Sequence, residues 1–278
     1  MEQLNLFEQP SSLSSTATKI KAELIEGYGS PTELSFGQFK NIKGIDRHPL
    51  WGNIFTTGDI LELAGQQGVG KSYFLYKLIF ALTTGGEFFN NSVPSPNKVL
   101  LLDGELPIDD INQRFEQITS IATAQEISLL DNNLNIINRE FCGGMMKNIC
   151  TISSNDELFE KMCQHDIVVI DSLKTNSFGS NISNADDVAD LISLFLKLKA
   201  QGTTVIYVNH LTKSQTVLGS VDFDIINDVT IALSFDPKRT VDCRKLSILK
   251  GRKLGEQEKQ PVFYEFSPIT PGIPFYRI

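Results

Sequence analysis

Apolar residues fall along this chain in two rhythms. Residues 99–102 and 167–170 are unbroken apolar runs, and residues 60–64 and 204–208 are nearly so; all four predict buried strands. Between them, apolar positions recur at spacings of three and four. One set is Phe74, Leu75, Leu78, Ile79 and Leu82; a second is Ile111, Phe115, Ile118 and Ile121; a third is Val188, Leu191, Ile192, Phe195 and Leu198. Each set falls on one face of a helix. Gly85-Gly86 ends the first helix, residues 156–163 predict another, and residues 125–153 read as a short helix, a strand near 134–137 and a Gly-Gly turn. Strand alternating with helix predicts an α/β fold, a mainly parallel sheet with right-handed crossovers and flanking helices. Beyond residue 228 the rhythm changes. Residues 229–235, 244–249 and 262–266 read as strands with no helix between them, hence as antiparallel strands added at one edge.

Composition narrows this picture without redirecting it. Residues 1–33 are polar and Ser/Thr-rich and read as a flexible tail, leaving 34–278 as a single domain long enough to bury a core. No apolar run approaches the roughly 20 residues of a membrane helix. The N-terminus shows no basic-then-apolar signal segment. Cys142, Cys150, Cys163 and Cys243 form no C-x-x-C pair and no ligand spacing with the three histidines, so reduced thiols in a cytoplasmic protein are expected. A net charge of −8 argues against a broad basic surface for duplex DNA but leaves room for a few basic loops.

The chemistry concentrates between the first strand and the first helix. Gly65, Gln66, Gln67, Gly68, Val69, Gly70, Lys71 and Ser72 satisfy the G-x-x-x-x-G-K-[ST] pattern of a phosphate-binding loop. Strand before and helix after are the context such a loop requires. Glycines let backbone N–H groups curl around phosphate, and the helix N-terminus adds its positive end. ATP is therefore the expected ligand, with Tyr73 next to the cradle, Lys71 on the β- and γ-phosphates and Ser72 on Mg²⁺. Three later strand ends carry polar groups, where an open parallel sheet binds its ligands. Asp171 is expected to hold Mg²⁺ too, directly or through water. Glu105 is placed to activate water, with Asp103 as its rival. His210 reads either as a core histidine or as a sensor of the γ-phosphate. Trp51 reads as a core anchor or a nucleotide contact.

The order GQQGVGKS, DGELP, VVIDS, VNHLTK resembles the RecA-like ATPases, and within them most resembles the RepA hexameric replicative helicases of plasmids. Glu105, Pro107, Ile111 and Arg114 match a Glu-Pro-Ile-Arg pattern of that branch. His210, Thr212 and Lys213 match its His-x-Ser/Thr-Lys motif, and Gly219-Ser220 with Asp228-Val229 match a later one. The resemblance spans about residues 50–255. It implies a homohexameric ring acting on single-stranded DNA, as a DNA helicase or translocase of a plasmid or other mobile element. It also implies nucleotide between subunits, with Arg252, backed by Lys250, reaching the neighbour's γ-phosphate as an arginine finger. DNA loops would correspond to residues 174–183 and 213–222. Each carries one lysine (Lys174, Lys213) and no arginine, and Phe178 is the one aromatic. That thin basic content keeps a second expectation open, a nucleotide-switched scaffold that recruits proteins without unwinding DNA. In the tail, Gln3, Leu4, Leu6 and Phe7 resemble the short peptide with which bacterial replication proteins dock on the sliding clamp.

Overall fold

A computed structural model describes residues 33–180, 185–210, 222–236, 238, 243–266 and 275–277. Among the described residues, those up to Ile45 fall in one unit and those from Asp46 on in another. In the first, Ser35 caps a one-turn helix, α1 (Phe36–Phe39), through a reciprocal capping box with Gln38. The clamp-like residues Gln3, Leu4, Leu6 and Phe7, and with them Lys213, lie outside the described residues.

The second unit is a three-layer sandwich around one sheet. A small hairpin, β1 (Pro49–Trp51) and β2 (Phe55–Thr56), leads into the central strand β3 (Ile60–Gly65), and the phosphate-loop motif runs from β3 into helix α2 (Lys71–Thr84). A second short hairpin, β4 (Gly86–Phe88) and β5 (Asn91–Val93), follows α2, then β6 (Val99–Asp103), α3 (Ile108–Thr119), α4 (Ala124–Asn133), β7 (Leu134–Asn138), α5 (Glu157–Cys163) and β8 (Ile167–Asp171). The one-turn helix α6 (Leu173–Asn176), α7 (Ala185–Gln201), β9 (Thr204–His210), α8 (Asp222–Ile226), β10 (Val229–Phe235), β11 (Cys243–Gly251), β12 (Val262–Phe266) and β13 (Phe275–Arg277) complete the order.

Among the described residues the main sheet has nine strands, in the order β13-β12-β11-β10-β3-β9-β8-β6-β7. Six neighbours, β10 through β7, are parallel; β11, β12 and β13 add antiparallel at one edge. The expected fold holds, with three local corrections. Strand 229–235 joins the parallel set, because α8 precedes it and returns it beside β3 in the same direction. Ile121 is exposed rather than core, since α3 ends at Thr119, before the helical face would bring it round. Lys174 sits in the helical turn α6 rather than in an open loop, because Ser172 and Thr175 form a capping box there.

Side-chain alternation sends the two faces of each strand to different helices. Leu61, Leu63, Leu101, Val169, Ile206 and Ile231 pack on α2, whose Phe74, Leu75, Leu78, Ile79 and Leu82 are buried. Ile60, Leu100, Leu102, Val168, Ile170 and Val205 face α7 through Val188, Leu191, Phe195 and Leu198. Trp51 is fully buried, stacks on Phe88 and donates its Nε1–H to the Phe88 carbonyl at 2.7 Å, so it is a core anchor. No disulfide joins the four cysteines. No described helix is long and apolar enough to cross a membrane.

Candidate active site

Register decides which residues meet. β3 and β9 pair with Gly65 opposite His210, and β6 and β8 pair with Asp103 opposite Asp171. All these strands point the same way, so the loop, the two aspartates and the histidine arrive at one end of the sheet. A cleft of about 260 Å³ opens there, lined by Gln67, Gly68, Gly70, Lys71, Ser72, Tyr73, Glu105, Leu106, Arg114, Asp171, Val208 and His210. Nine of those twelve were expected from the sequence. Gly65, Gln66 and Val69 shape the loop from behind rather than line the cleft.

The loop turns where only glycine turns freely: Gly68 and Gly70 have φ of 77° and 95°. Gly65 is required for another reason, since a Cβ there would lie 2.8 Å from the Leu233 carbonyl. Lys71, 6% exposed, folds back and donates to the carbonyls of Gly65 (2.8 Å) and Gln66 (2.9 Å). Burial lowers its pKa, while Asp171 and Glu105 pull the other way. The ammonium thus rests on the loop it would leave to meet a phosphate.

Asp171 is buried, and neither carboxylate oxygen has a partner in hydrogen-bond geometry. Burial first, then the charges of Asp103 and Glu105, push its pKa up to about 7. The Ser72 hydroxyl and Arg114 ease it, the hydroxyl without reaching bonding geometry. An orphaned acceptor pair beside a serine hydroxyl fits a hard divalent cation, which takes oxygen ligands.

Asp103 is the opposite case. Its Oδ1 accepts the N–H groups of Glu105 (2.9 Å) and Leu106 (2.8 Å), and its Oδ2 accepts the Tyr76 hydroxyl. Both carboxylate oxygens are engaged, so Asp103 is a structural brace for the turn that presents Glu105. Glu105 itself is exposed at the cleft, 4.0 Å from His210 Nε2. His210 is half-buried; burial first, then Lys71, lowers its pKa against the pull of Glu105. It is held by its own N–H, which donates to Asn209 Oδ1, and Asn209 Nδ2 donates to the buried Glu62 at 2.9 Å.

Arg114 belongs to the cleft although the sequence offered it only through the resemblance. Its guanidinium lies over the rings of Tyr73 (4.5 Å) and Tyr76 (5.7 Å), and its buried Nη1 has no hydrogen-bond partner. The usable signal was helical spacing, which carries Arg114 on the same helix as Ile111 and Phe115. Arg252 and Lys250 do not reach this chain's cleft. Arg252 pairs with Asp228 at 3.2 Å and donates to the Ile225 carbonyl at 2.6 Å, and Lys250 donates to the Asp224 carbonyl. A role for either at the phosphates requires a neighbouring chain.

Residues 31–216 match the AAA domain family, about two thirds of the chain. No curated protein matches the chain in sequence. Two similar solved structures are the flagellar accessory protein FlaH from Methanocaldococcus jannaschii and a KaiC-like protein from the archaeon Pyrococcus horikoshii OT3. The first has TM-score 0.53 and 17% identity, covering 80% of this chain and 90% of that one. The second has TM-score 0.54 and 16% identity, covering 80% and 91%. The chain belongs to the AAA domain family and has the fold of the RecA-like P-loop ATPases.

Proposed function

We propose that this protein is a Mg²⁺-dependent ATP hydrolase that works as a ring and acts on DNA, as a RepA-like replicative helicase or translocase. The observation that carries the hydrolase reading is the orphaned carboxylate of Asp171, set across the cleft from a phosphate loop whose lysine is parked on its own carbonyls. The loop N–H groups and Lys71 hold the phosphates, and Ser72 and Asp171 hold the metal. Mg²⁺ held there would supply positive charge against that building on the phosphate oxygens. Glu105 orients the attacking water and takes its proton, since Asp103 is committed to the turn. His210, within reach of Glu105, reports the state of the γ-phosphate to the segment that follows β9. Arg252, with Lys250 beside it, serves the cleft of the next subunit in a head-to-tail ring.

The order of the four motifs supports the DNA role, with Lys174 and Lys213 as phosphate contacts. One observation favours the scaffold reading instead: the described part of the loop after β8 offers a single lysine and an exposed Phe178. Steady-state ATP turnover with and without single-stranded DNA tests both. DNA-stimulated turnover, weakening with salt, is expected for the helicase or translocase. Turnover indifferent to any DNA at low salt would transfer the assignment to the scaffold. No Mg²⁺-dependent turnover, and no ATP binding, would overturn the ATPase reading itself.

A further inference from the structure

β3 stops at Gly65, level with Leu233 on β10, but β10 runs on to Phe235, whose partner on β11 is Arg244. The antiparallel edge therefore overhangs the point where the phosphate loop leaves the sheet. Arg244 is 6% exposed, and its guanidinium lies 4.4 Å from the centre of the Phe235 ring. Its Nη1 donates to the Cys243 carbonyl at 3.3 Å, and its Nε donates to the carbonyl of Val69, inside the loop, also at 3.3 Å. Val69 is itself pinned, its side chain in the core and its N–H donating to Gln66 at 3.3 Å.

The consequence lies in the Val69–Gly70 peptide. In a planar trans peptide the carbonyl and the following N–H point in opposite directions. A Val69 carbonyl tied to the sheet edge by Arg244 therefore turns the Gly70 N–H away from the sheet. Gly68 and Gly70 line the cleft, and Val69 does not. The oriented N–H is thus one of those a phosphate would accept from. The guanidinium also leaves a positive charge, shielded from water, one peptide away from the expected anion.

We propose that Arg244 is a positioning residue for nucleotide phosphate: it sets the Val69–Gly70 peptide so that the Gly70 N–H faces the cleft before any nucleotide arrives. This rests on the nucleotide-site reading above and adds to it a residue from the antiparallel edge, outside the phosphate-loop motif. Preorganising a donor avoids an ordering cost at the moment of binding.

The test measures the affinity of the full chain for a fluorescent ADP analogue, beside its thermal midpoint without nucleotide. Arg244→Met removes the donor and the charge but keeps an unbranched side chain; Arg244→Lys keeps a cation that can donate to the same carbonyl. The expected result is at least tenfold weaker binding for Arg244→Met and no more than threefold for Arg244→Lys. Should Arg244→Met not fold, Arg244→Leu, which has no donor for Val69, takes its place with the same expected loss. Wild-type-like binding by Arg244→Met or Arg244→Leu overturns the proposal and leaves the nucleotide site standing. Equal losses in the methionine and lysine variants, following their losses in thermal midpoint, overturn it too and make Arg244 a core residue only. A wild-type chain that binds neither ADP nor ATP overturns both readings.

Discussion

Asp171→Asn should stabilise the nucleotide-free protein and remove its response to Mg²⁺. Asp171 sits buried with two unpartnered oxygens, so its ionised form is only weakly compensated. Its pKa, raised from the ordinary 3.8 to about 7 chiefly by burial, fixes the sign. Below 3.8 the carboxyl is protonated folded or unfolded and contributes nothing. As pH rises toward 7 the unfolded chain releases a proton that the folded chain keeps, so stability falls, and the full penalty stands above about 7. At about 1.36 kcal/mol per pK unit the rise bounds that penalty at about 4 kcal/mol, and relaxation around the site brings the expected value to about 1–4. For a domain of this size that is a gain of roughly 3–12 °C in thermal midpoint at pH 8. The gain should shrink markedly at pH 4.5. Differential scanning melts of both proteins at the two pH values read it directly. Saturating Mg²⁺ and ADP should close most of that gap, since a ligand at about 100 times its Kd adds about 2.7 kcal/mol to the protein that binds it. An asparagine variant no more stable than the parent at pH 8, or equally favoured at both pH values, would refute the reasoning.

Other outcomes follow from the same geometry. Glu105→Gln should bind ATP as the parent does and lose at least about 100-fold in turnover, whereas Lys71→Ala should lose ATP binding itself; equilibrium binding and steady-state hydrolysis separate the two. Tyr76→Phe should cost about 1–3 kcal/mol in urea melts, because it strips a donor from the buried Asp103 brace without opening a cavity. Mixing Lys71→Ala with Arg252→Ala chains should recover turnover that neither has alone, as interfaces combining an intact loop with an intact finger form; no recovery at any mixing ratio removes the shared-site assignment.

The parallel core was legible because its strands are buried on both faces, so each reads as a short apolar run that no surface helix would tolerate. The phosphate loop was legible because its geometry depends on glycines at fixed spacing. Strand 229–235 was misread for a matching reason. The helix that makes it parallel, α8, is only five residues long and leaves no periodic trace. Ile121 continues the spacing of α3 by arithmetic alone, past the residue where the helix ends.

Asp103 and Asp171 show where sequence pattern stops being informative. Both end an apolar strand, both are buried, and register sets them side by side. Local sequence gives them the same description. What separates them arrives from elsewhere: Tyr76, 27 residues upstream on the loop helix, and the two N–H groups of the turn after β6 engage both oxygens of Asp103, and nothing comparable reaches Asp171. One carboxylate is thereby spent on shape, and the other is left with the open lone pairs that a cation would take. Arg244 repeats the lesson at greater distance, for its tie to Val69 spans 175 residues and exists only because β10 outruns β3 by two. Chemistry that depends on a residue type was readable in the chain. Chemistry that depends on which partner fills a lone pair had to wait for the sheet order, because that order decides the partner.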